Sequence, residues 1–136
     1  MTYAASAALQ AAVYQHLSAD AGLTVLVPDA IHDARPEGPV VGTHVVVGDE
    51  QVRDWSTKTG RGAEHRFVVS VVSDEEGYLT AKTVAGAITD ALIDAPLLLA
   101  RGHVVCLGFL RGRARRVRAG QVRRIDLTFR ALVEDT

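Results

Sequence analysis

The hydrophobic pattern of residues 64–92 changes period partway along, and few architectures accommodate that. From Glu64 to Ser73, Phe67, Val69 and Val71 share one face of an extended chain, while Arg66, Val68, Ser70 and Val72 share the other. Beyond it the spacing turns helical, with Ala81, Val84, Ala85, Ile88 and Leu92 on one stripe. A strand joined by a short link to an amphipathic helix must lay that helix on a sheet. Ser73-x-x-Glu76 has the capping-box pattern, with Asp74, Glu75 and Glu76 at the positive end of the helix dipole. Pro96 marks the helix end, because proline cannot continue one.

The remaining segments fit the same plan. Ala5, Leu9, Ala12, Val13, His16 and Leu17 recur at helical spacing over Ala4–Leu17, and a break is expected near Ala19–Gly22. Leu23–Val27 is a short apolar run cut by Pro28, and Ile31–Gly42 is a turn-rich connection. Thr43–Val52, with Val45, Val46 and Val47 at its centre, predicts a strand. Arg53–Ala63 predicts a long hairpin loop or arm. His103–Leu110 and Gln121–Val133 predict the last two strands; in the second, Ile125, Leu127, Phe129, Ala131 and Val133 alternate with mostly polar residues. Arg111–Gly120 between them reads as an arginine-rich turn around Ala119-Gly120. The expected fold is α+β: a mainly antiparallel sheet of about four or more strands, with two helices packed on one face, in a single domain over residues 1–136.

Charge is distributed unevenly. Net charge is −1, yet residues 101–130 hold nine arginines against Asp126 alone, giving +8 and leaving −9 elsewhere. Such a chain can pair with copies of itself. Residues 111–124 also have the charge to contact nucleic-acid phosphates. Against that, they lack interleaved aromatics for stacking on single strands and a recognition-helix pattern. No run approaches the ~18 apolar residues of a membrane span. Met1–Leu9 lacks a basic segment followed by an apolar core, so cytoplasmic folding is expected.

Catalytic patterns are missing. His16, His32, His44, His65 and His103 are not spaced as metal ligands, and no nucleophile elbow, phosphate loop or dinucleotide fingerprint occurs. Glu75 and Glu76 are adjacent and would not face each other on a helix. Cys106, the single cysteine, lies in the apolar run Val104–Leu110 and is expected to pack in the core. No enzyme activity, cofactor or metal is expected. Two segments suggest protein interfaces. Residues 51–60 place the only tryptophan in a polar loop, either as an exposed hot spot or folded over the sheet edge. The candidate interface residues are Arg53, Trp55, Lys58 and Arg61 in that region, and Arg111, Arg113, Arg115, Arg116 and Arg118 in the basic one.

Several stretches resemble the tail-completion, or tail terminator, proteins of long-tailed phages with flexible tails, most closely those of alphaproteobacterial gene transfer agents. They are Tyr3–Tyr14, Gly48–Thr59, Asp94–Leu97 with Leu99–Gly102, and Arg124–Glu134. The block Trp55-Ser56-Thr57-Lys58 after a strand and the closing Thr128-Phe129-Arg130-Ala131-Leu132 are the most telling. The resemblance implies a non-enzymatic virion protein that works as a hexameric ring. Such a ring binds the last tail-tube ring, stops polymerisation and joins the tail to the head-side connector or neck proteins. It implies assembly in the host cytoplasm, then residence at the head-proximal end of the released particle. DNA must pass through such a ring without being held, and six inward-facing +8 segments would bind it adhesively, so the arginines are expected to face protein rather than the channel. The alternatives are a neck or head-completion adaptor of the same particle, and a small nucleic-acid-binding protein using Arg111–Arg124.

Overall fold

The computed structural model describes residues 3–56 and 60–135. The chain runs α1 (Ser6–Ala19), α2 (Ala21–Leu26), β1 (Ile31–His32), β2 (Thr43–Asp54), β3 (Gly62–Ser73), α3 (Leu79–Leu92), β4 (His103–Val117) and β5 (Val122–Glu134). The strands form one sheet in the order β1-β2-β3-β5-β4. Pairing is antiparallel throughout except that β1 runs parallel to β2. The fold is α+β, as expected, with three helices rather than two.

The alternation read in the sequence sets the core. Val71 lies opposite Val45 and Ile125, Val69 opposite Val47 and Leu127, and Phe67 opposite Phe129. Onto this face pack Leu9, Val13 and Leu17 of α1 with Val84, Ile88 and Leu92 of α3, all essentially inaccessible. Phe67 and Phe129 stack at 5.5 Å, and Phe109 meets Phe129 edge-on at 5.7 Å. His16 joins the two long helices through Nε2, 2.9 Å from the Ala91 carbonyl.

Several boundaries differ from the expectation. Asp20 does end α1, but its carboxylate accepts from Leu23 N at 2.9 Å and so starts α2. This is what short polar side chains do at N-caps. The capping box is not formed: α3 begins at Leu79, after Gly77 at φ +73°, and its N-cap Tyr78 has no side-chain cap. Ser73 is still in β3, where its hydroxyl meets Thr43 Oγ1 at 2.8 Å and accepts from Glu75 N. The acidic trio therefore lies in the connection instead of the first helical turn. β2 and β3 run to Asp54 and from Gly62, shortening the expected 53–63 loop at both ends. β4 continues to Val117, so Arg111, Arg113, Arg115 and Arg116 are strand residues; only residues 118–121 make the turn, with Arg118, Ala119 and Gly120 at positive φ.

Bulges invert two side chains. The β4 register slips between Val104 and Cys106, which turns Cys106 outward and Leu107 inward. Cys106 is thus exposed, not in the core. A slip between Gly48 and Glu50 in β2 sets Glu50 opposite Phe67, on the helix side.

Candidate assembly surface

The sheet face turned away from the helices carries a lattice of charges instead of a second apolar layer. Cross-strand neighbours there are Glu64 and Leu132, Arg66 and Arg130, Val68 and Thr128, Ser70 and Asp126, and Val72 and Arg124. Glu64 has only 3% of its side chain exposed, because guanidiniums close over it. Arg130 Nε lies at 2.6 Å, Arg66 Nε at 2.8 Å and Arg53 Nε at 3.3 Å. The hydrogen bond from Arg130 does most to lower the Glu64 pKa; burial opposes it, and Arg66 and Arg53 add to the lowering. Asp126 is a second node, taking Ser70 Oγ at 2.6 Å and Arg124 Nε at 2.9 Å, with Arg115 at 3.5 Å. Burial would raise its pKa, but the hydroxyl and the two arginines outweigh that and lower it.

The candidate interface residues separate into two groups at opposite ends of the sheet. Trp55 follows β2 at the end where β3 begins and β5 finishes. It is half-buried, its N–H donates to the Gly62 carbonyl at 2.9 Å, and its ring lies against Gly62. A Cβ on Gly62 would stand 2.7 Å from Trp55 Cε3. The ring is therefore folded onto the hairpin stem, the second of the two readings for it. Arg53 reaches back to Glu64, and the Arg61 carbonyl accepts from Asp135 N. Lys58 lies outside the described residues. Arg101 binds Asp135 through two bonds of 3.0 Å at this same end.

The arginine turn sits at the other end, where Arg123 pairs with Ser73. The 12 residues of β3 between the two ends span about 40 Å at ~3.4 Å per residue. Arg111, Arg113 and Arg115 project on the charged face opposite Thr128, Asp126 and Arg124, whereas Arg116 lies opposite Arg123. All four, and Arg118, are exposed. Beside this end the 33–42 loop and the charged face enclose a cleft of about 620 Å³, bordered by Arg35, His44, Ser70, Arg115, Arg118 and Arg124. Burial lowers the His44 pKa, and nearby His32, Arg124 and Arg35 lower it further.

Sequence reading missed one polar site altogether. On the helix side, fully buried His65 places Nδ1 3.1 Å from Glu50 Oε2, and Ser6 Oγ donates to Glu50 Oε1. Burial would raise the Glu50 pKa, yet bonds from His65, Ser6 and Tyr3 bring it below the ordinary value. The bulge that turns Glu50 inward has no signature in composition or spacing. Among the described residues no group of three or more His, Cys, Asp or Glu side chains could hold a metal ion.

The family described as tail completion protein gp17 matches residues 11–134. A solved structure of similar fold comes from the virion of a native gene transfer agent particle. It is 56% identical, covers 98% of this chain and 99% of its own, and has a TM-score of 0.92. Among curated proteins none matches.

Proposed function

Because the chain belongs to the tail completion protein gp17 family, we propose that it is the tail terminator of a phage-like particle, a single domain that assembles as a hexameric ring. It is a structural tail protein of such a particle. The ring caps the growing tail tube, stops its polymerisation and offers its opposite face to the head-side connector. Assembly takes place in the cytoplasm of the producing cell.

Tube growth by heterologous contacts does not close on itself and has no intrinsic end. A terminator must match the tube on one side, present a different surface on the other and close around a cycle. The observation that best supports this reading is the separation of the Trp55 segment and the arginine turn by the full length of the sheet. The two segments would lie at subunit–subunit or ring–tube contacts, with no catalytic step required. Arg53, Trp55, Lys58, Arg61, Arg111, Arg113, Arg115, Arg116 and Arg118 would make protein contacts. Turned inward, six copies of a +8 segment would hold DNA adhesively. The arginines are therefore assigned to protein, and DNA passes without specific binding.

Electron microscopy of particles made without the protein tests the role. Overlong or heterogeneous tails without heads are expected. Tails of correct length lacking only heads would move the protein to the neck, and unchanged particles would end the structural reading. Trp55→Ala and Arg113→Glu chains that fold yet complete tails normally would refute the contact assignment.

A further inference from the structure

The two edges of the sheet are unlike, and their difference is of the kind that joins one copy to the next. β4 is an outer strand of 15 residues with β5 as its one sheet partner. The side chains of its Arg111, Arg113 and Arg116, with that of Arg118 in the following turn, are exposed and make no hydrogen bond or ion pair among the described residues. Arg115 alone leans inward, to Asp126. The bulged residues Val105 and Leu110 are 48% and 44% exposed. Bulges and charges on an edge ordinarily prevent pairing. Here the bulges instead present apolar side chains beside arginines that lack a counter-charge.

The opposite edge, formed by β1 and the outer side of β2, carries the reverse. Asp29, Asp33, Glu37 and Asp49 are exposed and without ion-pair partners among the described residues, and Arg35 is the one Lys or Arg in residues 29–49. Val41 stands there 81% exposed. Each edge thus combines uncompensated charge of one sign with accessible apolar surface.

Strand sense agrees. β2 and β5 run one way, and β3 and β4 the other. Rotation about an axis along the strands preserves their sense. The β4 edge of one copy would then meet the β1–β2 edge of the next antiparallel, the commoner and slightly stronger pairing. Two copies meeting β4 to β4 would instead oppose arginine to arginine.

We infer that the ring closes through this edge: the basic β4 edge of each copy docks on the acidic β1–β2 edge of its neighbour, a second copy of this chain. The contact is heterologous and therefore compatible with a closed cycle. This inference rests on the ring reading above.

Charge reversal within one chain tests it, because each copy carries both halves of the contact. Three variants are supplied to cells making the particles without the native protein: Arg113→Glu with Arg116→Glu, Asp33→Lys with Asp49→Lys, and all four changes together. Completed particles and tail lengths are counted by electron microscopy, and folding is checked by thermal melting of the purified chains. Each two-residue variant is expected to reduce completed particles by roughly tenfold or more, since like charges then face each other at every joint. The four-residue variant is expected to recover to within about threefold of the native chain, the original attraction being restored with its signs exchanged. Two-residue variants that complete tails normally would overturn the inference and leave the ring reading standing. A folded four-residue variant as defective as its parents would overturn it as well. Normal tails in cells lacking the protein would remove the ring reading, and this inference with it.

Discussion

Glu64→Gln isolates the charge at the centre of the open face, because it keeps the side-chain volume and the β3 register. The carboxylate receives Arg130 Nε at 2.6 Å and Arg66 Nε at 2.8 Å, with Arg53 at 3.3 Å. A hydrogen bond to a charged group contributes about 1.5–3 kcal/mol, so two set an upper bound of about 6 kcal/mol. The arginines are 35%, 45% and 74% exposed and recover water when the charge is removed, and glutamine still accepts one bond. A loss of roughly 2 kcal/mol remains after that discount. For a chain of this length that corresponds to a fall in Tm of about 6–10 °C at pH 7. The pH dependence follows from the lowered pKa of Glu64 in the folded protein. The carboxylate binds protons more weakly folded than unfolded, so its contribution is fully present above the unfolded value of about 4.3. It is lost as pH falls through the folded value. Calorimetric scans of both proteins from pH 7 to pH 3 should therefore show the gap in Tm closing on the acid side. Equal Tm values at pH 7, or a gap that persists unchanged in acid, would refute the assigned network.

Two further outcomes rest on single contacts. Gly62→Ala should displace the Trp55 ring, which its Cβ would approach to 2.7 Å, at a cost of about 1–3 kcal/mol; a lower Tm and red-shifted emission from the lone tryptophan are expected, and unchanged emission would mean the ring does not rest there. Cys106 should react with a thiol reagent in the native protein at a rate close to that of a small free thiol; labelling only after denaturation would return it to the core.

What the sequence disclosed was what periodicity can carry. α3 and β5 each turn an apolar face to the core, and β3, though buried on both faces, keeps Phe67, Val69 and Val71 on the helix side, so apolar residues repeat at the period of the backbone and the order of the main elements follows. β4 beyond Leu110 buries neither face, being an edge strand below an open surface. Its Arg-Gly-Arg-Ala-Arg-Arg run alternates arginine only with small residues, so it offers no apolar stripe and resembles a turn. β1 has two residues and α2 six, too few for any period to register. The bulges near Gly48 and Val105 reverse the facing of the residues that follow, which is why Cys106 lies outside the core and why the inward turn of Glu50 could not be read. In the candidate surface, the chemistry of Trp55 and the arginines was legible. Their separation by a strand length was not, because it follows from register.

The arginine edge also bears on the protein before it meets any tube. An edge strand of 15 residues with accessible valine and leucine is a template for unwanted fibrous stacking in a crowded cell. Four guanidiniums along it make such stacking between identical edges repulsive over about a Debye length, ~8 Å at physiological salt. The same side chains that would recognise an acidic neighbour thus disfavour stacking between identical edges, and that repulsion weakens as ionic strength rises.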